Sequence, residues 1–309
     1  MDAAIFGLIV ADLIASPVDL RHPPKPGGLT LVDSIQLTTG GNVCNTGIAM
    51  AKLGLSVAAA GLVGKDVLGV AMTERMQDSG LDTSAVFATD QAQTSATVVA
   101  VEAAGERCFF HTPGVTPLLD AEALRRCFDT FRKCSWIQIG YFGLLPNLTK
   151  DLPALLVELK RACPKSKVSL ETVNPPDKWE YLQPILPHLD LFAPSRTEGE
   201  ALTGLTEPTK MIEAFRKHMK TGLIGIKLDA EGCLLDDGHK QVMVPAYKIK
   251  VVDTTGAGDS WYAGLLTGLI KNMPLEKAGQ FANRVAADCC TALGASTGIK
   301  SYEETIIRL

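Results

Sequence analysis

The sequence predicts an α/β fold: a central, mostly parallel sheet flanked by helices, with a small β lid. Three observations carry that expectation. Short β-branched apolar runs alternate with amphipathic helical patterns along most of the 309 residues, as expected for strands covered by helices on both faces. Two segments, 16–39 and 95–111, break the alternation with β character. Beyond Asp259 the chain turns strongly helical.

Taken in order, residues 5–10 read as a first strand that stops before Asp12; the apolar run is too short to span a bilayer. Residues 16–39 hold Pro17, Pro23, Pro24 and Pro26, then strand character over 30–37. A helix over 43–53 stops at Gly54, a strand follows over 57–62, and Asp66 caps a helix over 67–78 that Gly80 ends. Residues 97–101 and 108–110 form a hairpin about a turn at Ala103-Ala104-Gly105-Glu106. Residues 13–39 and 95–112 together suit a lid over the carboxyl ends of the main strands, where open α/β sheets bind ligands. Two ordinary surface hairpins are the competing reading.

Further on, helices over 121–132 (capped by Asp120), 150–162, 198–202 and 210–219 alternate with strands over 136–139, 168–173, 189–193 and 223–228. The β-branched Ile249, Val251 and Val252 read as one more strand. Helices over 260–272 and 275–293, the second opened by Pro274, end the pattern. With no repeat, low-complexity tract or linker, residues 1–309 are expected to form a single domain.

Hydrophobic residues make up 46% and charged residues 21%, which excludes a disordered or coiled-coil chain. A net charge of −4 and a pI near 5.8 leave no basic footprint for nucleic acid, and no membrane segment is expected. An anionic substrate would need a local positive site. The eight cysteines form no C-x-x-C pair or zinc spacing and, without a signal peptide, read as reduced thiols of a cytoplasmic protein.

The run from Val252 to Gly264 carries the chemistry. Gly256-Ala257-Gly258 lies where a strand is expected to meet a helix, a place where backbone can approach a ligand and helical N–H groups stay free for an anion. Asp259 could simply cap the helix. A cap leaves Gly-Ala-Gly unexplained, so we favour a carboxylate that takes a proton from whatever attacks a phosphorus. The Walker pattern fails because Ala59 and Asp66 replace its first glycine and its Ser/Thr. The dinucleotide fingerprint fails because Trp261 stands where its third glycine belongs.

Asp253-Thr254-Thr255-Gly256-Ala257-Gly258-Asp259 resembles the C-terminal signature of the ribokinase-like (PfkB-type) carbohydrate kinases. Gly40-Gly41-Asn42-Val43-Cys44-Asn45 with Gly54 resembles their N-terminal signature. The resemblance spans essentially the whole chain and implies ATP-dependent transfer of a γ-phosphoryl group to a hydroxymethyl group of a sugar or sugar-like alcohol. By that resemblance Asp259 is the general base, and the N–H groups of Gly256, Ala257 and Gly258 hold the charge on the moving phosphoryl. Asp12 and Asn45 resemble the ligands of sugar hydroxyls, and Gly40-Gly41 the hinge of the lid.

The donor side departs from the family pattern. The usual Asn-x-x-Glu is Ser195-Arg196-Thr197-Glu198, keeping Glu198 for Mg²⁺, through water, but not the Asn. The usual Thr-x-Gly turn is Lys227-Leu228-Asp229, with Gly232 following. Lys227 can meet phosphate as a point charge, whereas Asp229 suits a solvent-facing turn better than a metal site. Asn283 resembles the helix position beside adenine. Asp253 and the Thr255 carbonyl match two ligands of a monovalent cation, so K⁺ is an expected activator. His111, Arg107 and Tyr141 could face the acceptor pocket, though hairpin end, surface charge and aromatic packing explain them as well.

A small pentose or hexose is the expected acceptor; a nucleoside or keto-sugar acid stays open, as does a regulator that binds sugar or nucleotide without turnover. A homodimer through the lid is expected, because an exposed sheet edge can pair with its twin.

Overall fold

The computed structural model describes residues 1–103, 105–173 and 179–309. Its thirteen strands, in chain order, are β1 (Ala3–Gly7), β2 (Val10–Ser16), β3 (Ser34–Gly40), β4 (Val57–Gly64), β5 (Asp82–Thr89), β6 (Ser95–Val101), β7 (Arg107–Thr112), β8 (Trp136–Ile139), β9 (Lys167–Leu170), β10 (Leu191–Phe192), β11 (Leu223–Lys227), β12 (Cys233–Asp236) and β13 (Gln241–Val244). Nine form one sheet in the order β13-β12-β11-β10-β9-β8-β1-β4-β5. It is parallel from β5 to β11, and β12 and β13 add an antiparallel edge.

Along β1, Ile5 and Phe6 point to opposite faces, and each face has its own core. Phe6 packs with Phe131, Ile137, Phe192 and Phe215. Ile5 packs with Val43, Trp261, Tyr262 and Phe281, beneath the helices Gly41–Lys52, Ala257–Ile270 and Leu275–Cys289. From β1 the chain builds outward to β4 and β5 on one side and later to β8 through β11 on the other. The strand order therefore reverses between β1 and β8, and open α/β sheets bind ligands beyond the carboxyl ends at such a point.

The strand expected over 5–10 is two strands. β1 ends at Gly7 (φ 151°), and after Leu8 and Ile9 the chain enters a separate four-stranded sheet, β3-β2-β6-β7. The break is made by Asn42, fully buried at the start of the following helix. Its Oδ1 accepts from the Leu8 N–H at 2.9 Å and its Nδ2 donates to the Phe6 carbonyl at 3.1 Å. A Cβ on Gly7 would lie 2.3 Å from this side chain and one on Gly140, just after β8, 2.1 Å from it. Both glycines are thereby required by one asparagine.

In the small sheet, Asp12 pairs with Thr38 and Thr97, and Thr97 with His111, so these four form one polar row across all strands. Of the predicted hairpin turn, Ala104 lies outside the described residues. Asp66 and Asp120 cap their helices as expected, by accepting backbone N–H groups of Gly69 and of Glu122 and Ala123.

Sequence reasoning missed β5, β12 and β13, an edge strand and two four-residue strands with little periodicity to read. The strand expected at 249–252 is irregular instead. Val251 and Val252 are exposed, and the N–H groups of Val252 and Asp253 both reach the Cys290 carbonyl, a helix end rather than a strand partner. All eight cysteines are free and all but Cys108 are buried. Among the described residues no helix is long and apolar enough to cross a membrane.

Asn42→Ala removes the partners of the Leu8 N–H and the Phe6 carbonyl. It is expected to lower unfolding free energy by about 1–3 kcal/mol, read by urea denaturation.

Candidate active site

The helix Ala257–Ile270 starts from Gly256, its N-cap, whose φ of 73° favours glycine and whose Cβ would stand 2.4 Å from that of Ala295. Asp259 lies in the first turn rather than capping it. The N–H groups of Gly256, Gly258 and Asp259 have no acceptor among the described residues. Ala257 departs from expectation. Its N–H donates to the Thr254 carbonyl at 3.1 Å and closes the turn, so it is not a free donor of the cradle.

Asp259 is buried, and its two oxygens differ. Oδ2 accepts from Asn45 Nδ2 at 2.8 Å and from the Tyr141 hydroxyl at 2.9 Å. Oδ1 is buried with no hydrogen-bond partner; the Thr46 hydroxyl faces the carboxylate without reaching bonding geometry. Desolvation raises the acid's pKa above the usual range, against the bonds from Asn45 and Tyr141 and the charge of Lys227. A buried carboxylate oxygen without a donor is costly, unless a ligand supplies the donor.

Tyr141 follows β8 at the strand-order reversal with φ 58°, a conformation uncommon outside glycine. That backbone turn aims the phenol at Asp259. Burial, together with Asp259 and Glu171, pushes the phenol well above its usual pKa, so it stays a donor.

Glu171, which sequence reasoning missed, follows β9 and is 2% exposed. It accepts from Gln138 Nε2 at 2.9 Å and lies 3.7 Å from Lys227 Nζ. Desolvation and the Asp259 charge raise its pKa to about 8, while Lys227 pulls it down. Lys227 itself ends β11 with Nζ 3.4 Å from where a Cβ on Gly258 would stand, so the ammonium faces the cradle. No local motif marks Glu171; only knowledge that β8 and β9 are neighbours would have drawn it in.

The Asp12 carboxylate lies against Gly40, where a Cβ would sit 2.2 Å from its Oδ2. Burial raises its pKa, countered by Thr97 and the His111 charge. Gly41 (φ 80°) has no room either, its Cβ falling 2.3 Å from the Leu8 carbonyl. The buried Cys44 thiol is pushed up to about 12 by desolvation and, less strongly, by the charges of Asp12 and Asp259.

The expected donor-side residues divide. Ser195 and Glu198 form a reciprocal capping box, with Glu198 N–H to Ser195 Oγ at 3.3 Å and Ser195 N–H to Glu198 Oε2 at 2.6 Å. The Ser195 hydroxyl and one Glu198 oxygen thus serve a helix start. Asp229 is exposed in a turn with φ 51°, a position open to Asp although glycine is easier. Gly232 (φ 108°) is required by sterics, its Cβ falling 2.0 Å from the Val244 carbonyl. Asn283 accepts from Trp261 Nε1 at 2.9 Å and donates to the Val244 and Pro245 carbonyls at 3.0 Å each. Both of its donors are spent on the fold and neither is left for a base. Asp253 and Thr255 meet Arg107 from β7, at 2.7 Å and 2.5 Å.

Residues 2–301 match the family profile described as pfkB family carbohydrate kinase. The ribokinase of Haemophilus influenzae is 26% identical over 306 residues, covering 98% of this chain and 96% of that protein. Fructokinase-1 of Oryza sativa subsp. japonica is 27% identical over 302 residues, 92% of each. The structure of Arabidopsis thaliana ribokinase complexed with ribose and ATP superposes with a TM-score of 0.80 at 22% identity, covering 99% of this chain and 97% of that one, a likeness of fold.

Glu171 carries the pH-dependent expectation. Folded, it keeps its proton to about pH 8; its ordinary value is 4.5. The native chain therefore holds an extra proton between those values, and that stabilisation is full below the lower one and lost as pH rises through the upper. Glu171→Gln is expected to flatten the fall of stability over pH 4.5 to 8, followed by urea denaturation at fixed ionic strength. An unaltered slope would rule Glu171 out as its source.

Proposed function

The chain belongs to the pfkB family of carbohydrate kinases, and on that premise we propose that it transfers the γ-phosphoryl group of ATP to a hydroxymethyl group of a small sugar, with Asp259 as general base. Family membership makes it a phosphotransferase with an alcohol group as acceptor. The observation that carries the proposal is Asp259 itself: one oxygen held by Asn45 and Tyr141, the other buried without a donor, in the first turn of a helix where the Gly256, Gly258 and Asp259 N–H groups have no acceptor among the described residues.

The acceptor hydroxyl donates its hydrogen bond to Oδ1. As its oxygen attacks the γ-phosphorus the proton passes to Oδ1, the new O–P bond forms, and the bond to the β-phosphate oxygen breaks to release ADP. Asn45 and Tyr141 keep the carboxylate from turning. Its raised pKa brings the base closer to the working pH, where general bases act best. The N–H groups of Gly256 and Gly258, the helix dipole and Lys227 take up charge on the moving phosphoryl, which needs positioning and charge stabilisation more than covalent help.

Mg²⁺ carried on the nucleotide phosphates would neutralise further charge there. Among the described residues no cluster of three or more ligands could hold a metal alone, which suits an ion held by phosphates, water and one or two carboxylates. Glu198, through its uncommitted oxygen, is the carboxylate available.

The acceptor would rest against the row Thr38, Asp12, Thr97 and His111, which offers hydroxyls, a carboxylate and an imidazole to a polyol. The guanidinium of Arg107 is engaged on Asp253, which favours a neutral pentose or hexose over a keto-sugar acid. Ser195 and Asp229, the residues that prompt a regulator without turnover, have a cap and a turn to account for them. Leu13, Leu37, Val98 and Phe110 make an apolar row on the opposite side of the small sheet, with Val98 and Phe110 exposed; it supports a homodimer formed there.

Two variants test the base. Asp259→Asn is expected to fold normally and bind sugar while kcat falls by about 10²–10⁴-fold, measured by ADP release over a panel of sugars and nucleosides; near-normal turnover would eliminate the base role. Tyr141→Phe removes one bond that favours the ionised carboxylate, so the acid limb of its kcat–pH profile is expected at higher pH than the parent's.

A further inference from the structure

We infer that Arg107 is a built-in cation: from the small sheet its guanidinium takes the Asp253 carboxylate that a monovalent ion would use, together with the Thr255 hydroxyl, and holds the anion-cradle turn in shape, so that activity is independent of K⁺. The inference rests on the proposed phosphoryl transfer at that turn. The Asp253 carboxylate, 5% exposed, accepts at Oδ1 from Arg107 Nη2 (2.7 Å) and the Thr255 N–H (2.8 Å), and at Oδ2 from the Gly294 N–H (2.9 Å). A carboxylate has about four acceptor positions, and three are filled here. The Arg107 guanidinium and two backbone N–H groups thus meet that charge without a metal.

The second candidate ligand is occupied too. The Thr255 hydroxyl takes Arg107 Nη1 at 2.5 Å. The Thr255 carbonyl faces the Cys289 thiol at 3.4 Å, which also faces the Ala295 carbonyl at 3.2 Å. That thiol thus stands between two carbonyls on the side where an ion would have to approach them. Arg107 opens β7 at the hairpin end and lies 146 residues from Asp253 in the chain. The fork thus joins the small sheet to the loop from which Gly256 and Gly258 present their N–H groups. Arg107 acts through that loop, as a positioning residue.

Amide hydrogen exchange over 253–258, in KCl and in choline chloride at equal ionic strength, reads this without any turnover. In the parent it is expected to be the same in both salts. Arg107→Ala should exchange faster by roughly 10- to 100-fold, the loss of a charge-assisted bond, and K⁺ or guanidinium should slow it again. Arg107→Lys, with the charge but not the fork, is expected between the two. In ADP release, Arg107→Ala should lose kcat at unchanged KM for sugar and recover with guanidinium. Activation or protection of the parent by K⁺, or an Arg107→Ala loop as slow as the parent's, would overturn the inference while leaving the kinase reading intact. Absence of any sugar turnover in the parent would defeat the kinase reading, and the exchange data would still decide on Arg107.

Discussion

A carboxylate removed from water must be given donors, and most of this site follows from how Asp259 receives them. Asn45 comes from 214 residues away and Tyr141 from 118, so three distant segments have to meet within hydrogen-bond reach. The strand-order reversal beside β1 makes room for that meeting. Close approach then dictates small residues: Gly256 against Ala295, Gly41 against the Leu8 carbonyl, Gly40 against Asp12. A methyl group at any of these points would push apart elements that the buried acid needs together.

The charges around Asp259 are sparse and uneven. Glu171 lies near enough for each carboxylate to disfavour the other's ionisation, and Lys227 offsets both. Free N–H groups and the helix dipole add partial positive charge without any side chain to desolvate. The net charge of −4 therefore says little about the cleft, where an anion is met by backbone and one lysine.

What the sequence disclosed was local, and what it hid was relational. Gly-Ala-Gly-Asp, Gly40-Gly41 and the caps Asp66 and Asp120 are legible because spacing along the chain encodes their geometry. Parallel β-α alternation was equally open, since periodicity shows which faces are covered. Glu171 and the role of Tyr141 depend on which strands become neighbours, which no spacing states. Asn42 read as one letter of a motif, yet its amide shapes the path from β1 into β2. Motif position does not state such partners either: Ser195 and Asn283 stand where nucleotide contacts are expected, and their hydrogen bonds go to a helix cap and to Trp261 and the end of β13. The valines of 251–252 have strand composition without a strand beside them.

The passage through Leu8 couples two parts of the molecule mechanically. Only Leu8 and Ile9 separate the last residue of β1, in the large sheet, from the first of the small sheet. The Leu8 N–H is bound by Asn42, and its carbonyl receives the Val43 N–H at 3.2 Å. Any tilt of the small sheet about this pivot drags on the first turn of the helix that bears Asn45. Leu8 is thus the fulcrum of a short lever, and the grip of Asn45 on Asp259 lies at its far arm.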